Sequence, residues 1–138
     1  MDTILYIDAN VYINYFKWEY DRWRCLGEMA LSVFNRILDG EFKLVISDHL
    51  LSELKKHVDE KIIDEFLQEF KDKKLIIEIN KTQEDIDEAK QISRHYHDPL
   101  HAILARKAKA QYLITRDLLG YPLPCTEFIE ILYPESLP

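Results

Sequence analysis

Apolar positions along the chain fall into short continuous runs that alternate with longer stretches where they recur at three- and four-residue steps. Ile4 to Ile7 is the first run, closed by the polar Asp8-Ala9-Asn10. It reads as a strand buried on both faces, the habit of a parallel sheet. From Val11 to Asp39 the pattern is helical, a short helix and then a longer one. In the longer one Leu26, Met29, Ala30, Val33, Phe34, Ile37 and Leu38 share a face before Gly40 ends it. Lys43 to Ile46 predicts a second strand, after which Ser47 offers an N-cap to a helix holding Leu50, Leu51, Leu54 and Val58. A further amphipathic helix, from about Asp59 to Lys73, places Ile62, Ile63, Phe66, Leu67 and Phe70 on one side.

Leu75 to Ile79 predicts a third strand. Thr82-Gln83-Glu84-Asp85 is similar to a capping box and opens a helix through about Tyr96. Asp98 then serves as N-cap and Pro99 as first helical residue of a helix reaching about Ala110. Tyr112 to Thr115 predicts a fourth strand and Phe128 to Leu132 a fifth, although a helix capped by Thr126 fits the last segment as well. Strands separated by helices predict an α/β fold with a parallel sheet.

Sites in open sheets of this kind form beyond the carboxyl ends of the strands. That rule selects Asp8 and Asn10 after the first strand, Ser47 and the helix bearing Glu53 after the second, and Thr115 with Asp117 after the fourth. Each has an ordinary structural explanation: a turn for Asp8, a cap for Asp98, a solvated rim for Glu53, a strand-to-loop turn for Thr115-Arg116-Asp117. Their gathering at one sheet edge changes the picture. Hard carboxylate oxygens suit Mg²⁺ or Mn²⁺. Phosphodiester hydrolysis uses such ions to acidify the attacking water and to steady the leaving oxygen, with no side-chain nucleophile.

Composition sets the frame around this chemistry. With 138 residues, 47% of them hydrophobic, the chain fits one well-cored domain. A net charge of −7 argues against a simple nucleic-acid coating protein but not against a nuclease whose metal reverses the local field. Cys25 and Cys125 lie far apart without metal-type spacing, so reduced thiols and a cytoplasmic setting are expected. No segment is long and apolar enough for a membrane span.

At these residues the chain resembles the PIN-domain family. Asp8-Ala9-Asn10 after an opening strand looks like its first motif, and Leu44-Val45-Ile46-Ser47 followed by Glu53 like its second. Asp98-Pro99-Leu100-His101-Ala102-Ile103-Leu104-Ala105 is similar to its Asp at the start of an Ala-rich helix, and Leu113-Ile114-Thr115-Arg116-Asp117 to its strand-Thr-x-Asp signature. Ile129 to Leu132 with Tyr133-Pro134-Glu135-Ser136-Leu137 resembles the closing strand and the start of the last helix. The ordered set covers essentially the whole chain.

The resemblance implies a three-layer α/β/α sandwich with a central, mostly parallel five-stranded sheet, as a single domain over 1–138. It implies that Asp8, Glu53, Asp98 and Asp117 ligate Mg²⁺ (or Mn²⁺), supported by Asn10, Thr115 and Ser47, the last equally explained by capping. The implied activity is cleavage of single-stranded RNA by metal-activated water, leaving 3′-hydroxyl and 5′-phosphate ends. The expected setting is a VapC-type toxin of a toxin–antitoxin pair, a homodimer with an antitoxin partner. The alternative is a non-catalytic PIN-fold module in an RNA-processing assembly. Two departures stand out. Leu118, Leu119 and Gly120 occupy the place of a further acid that many relatives carry, and the sequence stops where the last helix would begin.

Other features of the chain compete with this reading. His95, His97, Asp98 and His101 suggest zinc, but the first two are expected in the loop before the cap and no cysteine joins them. His101 could still touch substrate phosphate or the metal's water shell. Tyr6, Tyr12, Tyr15, Phe16, Trp18, Tyr20 and Trp23 suit core or a protein interface better than base stacking. Lys55-Lys56-His57, Arg94, Arg106, Lys107 and Lys109 read as solvated faces. Arg116, at the site edge, is open between a substrate phosphate and a surface ion pair. A phospho-receiver reading fails because Asn10 stands where a second acid is needed and no lysine follows the fourth strand.

Overall fold

A computed structural model describes residues 2–138. Five strands form one sheet: β1 (Ile4–Ile7), β2 (Lys43–Ser47), β3 (Ile76–Ile79), β4 (Tyr112–Ile114) and β5 (Glu130–Leu132). Their order is β3-β2-β1-β4-β5, and every neighbouring pair is parallel. Parallel neighbours need crossovers, supplied by α1 (Ala9–Phe16), α2 (Leu26–Leu38), α3 (Asp48–Leu54), α4 (Glu60–Asp72), α5 (Gln83–Ile92), α6 (His97–Lys107) and α7 (Cys125–Phe128).

Alternation along the strands separates two cores. Leu5, Ile7, Leu44, Ile46 and Ile114 point to one face, where they pack with Val11, Phe34, Leu50, Ile63 and Phe70 from α1 to α4. Tyr6, Val45 and Leu113 point to the other, against Ala89 of α5, Leu100, Ile103 and Leu104 of α6, and Cys125 of α7. Both faces are covered, so the strands read as unbroken apolar runs. The result is the expected three-layer α/β/α sandwich.

The order places β2 and β3 on one side of β1, and β4 and β5 on the other. Between the carboxyl ends of β1 and β4 the chain direction across the sheet reverses, and such a switch point opens a crevice. The Asp8 main-chain N–H donates to the Ile114 oxygen at 2.9 Å, closing the sheet directly beneath that crevice.

Local corrections follow from competing interactions. The helix α5 ends at Ile92 rather than near Tyr96, because Ser93 turns extended and its hydroxyl accepts the His95 N–H at 3.1 Å. The helix α6 begins at His97 with Tyr96 as N-cap, so Asp98 is not the cap but a first-turn residue. Pro99 still falls among the first four helical N–H positions, which lack intrahelical partners anyway. The two alternatives for the final segment both occur, in sequence: a turn of helix over Cys125–Phe128, then β5. Pro134–Ser136 forms a short 3₁₀ turn.

Candidate active site

Asp8, Glu53, Asp98 and Asp117 line one cavity of about 300 Å³ at the switch point, together with Ala9, Asn10, Ile13, Lys56 and His57. Each carboxylate arrives by a different route. Asp8 is the N-cap of α1, extended at φ −66 and ψ 152, and its side chain makes no capping bond. It is free for other work. Ser47 caps α3 by accepting the Leu50 N–H at 3.0 Å, which sets the helix that carries Glu53. Asp98 occupies the first turn of α6, where the helix dipole favours an anion. Asp117 follows β4 in the turn built by Thr115.

Asp8 is almost wholly buried and tightly held. Its Oδ2 accepts the Thr115 hydroxyl at 3.0 Å and the Tyr121 hydroxyl at 2.6 Å. Thr115 Oγ1 accepts in turn from the Asn10 amide at 3.1 Å and the Asp117 N–H at 3.1 Å. Asn10 Oδ1 receives the Arg116 N–H at 3.0 Å, so β1 and β4 are tied at their ends. Burial pushes the Tyr121 phenol well above its usual pKa, and the Asp8 and Asp98 charges add to this, leaving a neutral donor.

Glu53 has one oxygen fixed. His101 Nε2 lies 2.5 Å from its Oε1 and must be the donor. The other ring nitrogen lies 2.6 Å from the Tyr6 hydroxyl, which also bonds Ser47 Oγ at 2.7 Å. Burial would lower the His101 pKa, but the Asp8, Glu53 and Asp98 charges outweigh it and raise it. Burial would raise the Glu53 pKa, but the His101 hydrogen bond and the nearby imidazoles hold it low. Burial and the adjacent His101 push His49 down to about 4, leaving it neutral.

Asp98 has no such support. Burial, reinforced by the charges of Asp8, Glu53 and Asp117, raises it to about 7. The arrangement is a concentration of negative charge that a divalent cation would relieve. The backbone leaves room for it. Gly120 sets its α-carbon on these carboxylates: a β-carbon there would strike Asp98 Oδ2 and come within 3.2 Å of Asp117 Oδ2. Ligand atoms of Asp8, Glu53 and His101 all lie within 4.8 Å of one another. The four carboxylates of Asp8, Glu53, Asp98 and Asp117 line this same cavity, and hard oxygen donors are the kind a magnesium-type ion takes.

The PIN domain family model matches residues 5–119, a span that contains all four acids. The chain belongs to the PIN domain family. No curated protein matches it. PIN domains are in general metal-dependent nucleases, and the acidic cavity sits in this PIN domain where a parallel sheet opens a site.

Several sequence expectations about the periphery change. His101 is fully buried, so it cannot touch substrate; it orients Glu53 instead. Arg116 does not reach into the cavity, because its guanidinium pairs with Glu135 at 2.8 Å and lies 5.6 Å over the Tyr133 ring. Ser47 touches no carboxylate and acts through Tyr6. His97 lies in α6, not before it. Lys56 and His57 are exposed, as read, and in addition stand at the cavity edge. Tyr121 carried no signal in the sequence, since it neither directly follows a strand nor sits in a recognisable motif; His49 lies behind β2 on the helix that bears Glu53, but nothing in its spacing set it apart.

Proposed function

We propose that this PIN domain is a metal-dependent endoribonuclease that cleaves single-stranded RNA, with Asp8, Glu53, Asp98 and Asp117 as its metal-holding and catalytic carboxylates. The observation that carries the proposal is the convergence of these four acids, from four separate segments, on one cavity. A bound ion of the Mg²⁺ or Mn²⁺ type would supply a water of lowered pKa and would neutralise charge developing at phosphorus. The chain's own groups do the rest. Tyr121 and Thr115 hold Asp8 in one orientation, and His101 holds Glu53. Lys56 at the rim presents a cationic side chain to an approaching phosphodiester, beside the His57 ring. Attack of water on phosphorus with cleavage of the P–O3′ bond, the 3′ oxygen leaving with a proton, gives 3′-hydroxyl and 5′-phosphate ends.

The proposed setting is the toxin of a VapBC-type pair. Tyr15, Phe16, Trp18, Leu31, Ile62 and Phe66, with Glu65 at its edge, line an open, mainly apolar groove of about 650 Å³ distinct from the acidic cavity. An antitoxin segment or a second copy of the chain suits such a surface, and a cytoplasmic location accords with it. Among the described residues no helix is long and apolar enough to cross a membrane.

The test is cleavage of a fluorescent single-stranded RNA in Mg²⁺, Mn²⁺ or EDTA, by wild type and by an Asp8→Asn/Asp98→Asn double variant. Metal-dependent cleavage that vanishes in the variant is expected. Equal cleavage by both proteins would remove the site assignment. No cleavage, with no rise in melting temperature on adding metal, would favour the non-catalytic module.

A further inference from the structure

Glu53 uses only one of its two oxygens on His101. Its Oε2 lies 3.8 Å from Nε2 of His49, one helical turn earlier on α3. Residues four apart share a helix face, so the imidazole and the carboxylate point the same way. His97, at the start of α6, stacks on His49 with ring centres 5.5 Å apart and planes only 8° from parallel. One ligand atom from each of His49, Glu53 and His97 lies within 4.8 Å of the others.

We infer that His49, Glu53 and His97 form a second cation site, selective for nitrogen-preferring divalent ions of the zinc class, whose occupation inhibits the nuclease by engaging Glu53. The inhibitory half rests on the proposed nuclease function; the binding half does not.

Ligand chemistry separates the two sites. Two imidazoles and one carboxylate suit zinc, cobalt or nickel, whereas the carboxylate cavity suits magnesium. Three protein ligands leave a fourth position for water, unlike the closed four-ligand shell of a structural zinc. Zinc ligands at about 2.0–2.1 Å from the ion sit on the order of 3.4 Å apart, so the present spacing must contract. The ring of His97 is exposed and can make that movement, while His49 is nearly buried and fixed. His49 Nε2 now donates to the His97 main-chain oxygen at 3.0 Å, a bond that metal coordination through that nitrogen would replace. One neutral hydrogen bond is a small loss beside a metal–imidazole bond.

Sharing Glu53 makes the two sites antagonistic. A carboxylate turned toward His49 and His97 is less able to complete a cation site with Asp8. Two dications on either side of one carboxylate also repel each other.

Co²⁺ is a suitable probe, because its visible absorption reports coordination by nitrogen at low coordination number. Metal-free wild type, His97→Ala, His49→Gln and Asp98→Asn would be titrated with Co²⁺ in millimolar Mg²⁺, with melting curves confirming that each is folded. Wild type and Asp98→Asn should saturate at one ion with the same spectrum, and His97→Ala and His49→Gln should lose at least roughly tenfold in affinity. A spectrum retained in both histidine variants, or lost in Asp98→Asn, would overturn the site. Zn²⁺ should then suppress RNA cleavage by wild type in excess Mg²⁺, with His97→Ala at least tenfold more resistant. Equal inhibition of the two would overturn the antagonism. If wild type cleaves no RNA, the nuclease proposal falls while the Co²⁺ titration still decides the site.

Discussion

Asp8 and Glu53 are held by hydrogen bonds from other elements, whereas no side-chain hydrogen bond holds Asp98 or Asp117 among the described residues. The held pair sits on the β1 and β2 side of the crevice. There Thr115, Tyr121 and His101 fix each carboxylate, and the cost of burying charge is offset by directed donors. The unsupported pair sits on α6 and the β4 loop. At Asp98 burial and the negative charges of Asp8, Glu53 and Asp117 outweigh the opposing pull of His101, and its pKa shifts upward to about 7. One half of the cavity is therefore set before any ligand arrives. The other half is poised to change state when a cation does.

The contrast can be broken most directly at Asp8. Asp8→Asn keeps the shape but loses the charge and turns one acceptor into a donor facing two hydroxyls. RNA cleavage should fall on the order of 10²–10³-fold, measured as initial rate in Mg²⁺. A fall of less than tenfold would mean that the held half is scaffolding. Thr115→Val should come next, at about 10–100-fold, since it removes a donor to Asp8 and leaves the Asn10 amide and Asp117 N–H without their acceptor. Unchanged metal affinity in that variant would show that Tyr121 alone orients Asp8.

The unsupported half is sharpened by pH. A carboxyl whose folded pKa stands above its unfolded value adds stability below the unfolded value, and that stability is lost as pH rises through the folded one. For Asp98 the window runs from the ordinary carboxylate range, near 3.8, up to about 7. In EDTA at pH 8, Asp98→Asn should therefore melt higher than wild type, on the order of 2–4 °C once solvent screening of this part-exposed group is allowed for. At pH 5 the protonated acid resembles the amide and the difference should close. A wild type that melts higher than the variant at pH 8 would contradict the crowded-charge account. The smallest effect is expected at Arg116. Its guanidinium is committed to Glu135, so Arg116→Gln should change the rate of cleavage by less than about threefold. A tenfold loss, read as a rise in KM, would restore it as a phosphate contact.

Much of this could be read from the chain because strand ends are local. Asp8, Thr115 and Asp117 each follow an apolar run, and a parallel sheet brings such ends together whatever the helices do. Ser47 and the helix behind it followed from capping chemistry. Asp98 was found with the wrong local role. Aspartate before proline is a strong cap signal, yet the helix starts earlier and leaves the carboxylate facing the cavity. The supporting groups were not legible. Tyr121 reaches Asp8 across 113 residues of sequence and Tyr6 reaches His101 across 95, and neither pairing leaves a periodic trace. The choice left open at Arg116, phosphate or ion pair, falls to the ion pair for the same reason: which way a long side chain turns is settled by tertiary neighbours.

The close approach of Gly120 to Asp98 constrains how this site can evolve. A β-carbon at 120 would displace the carboxylate of Asp98, so a substitution there disturbs an acid the site depends on. The neighbouring Leu119 is 96% exposed and gives up no packing when replaced. A lineage gaining another acid after Asp117 therefore has an open route through 119 and a costlier one through 120. Related chains should accordingly vary more freely at the first position than at the second.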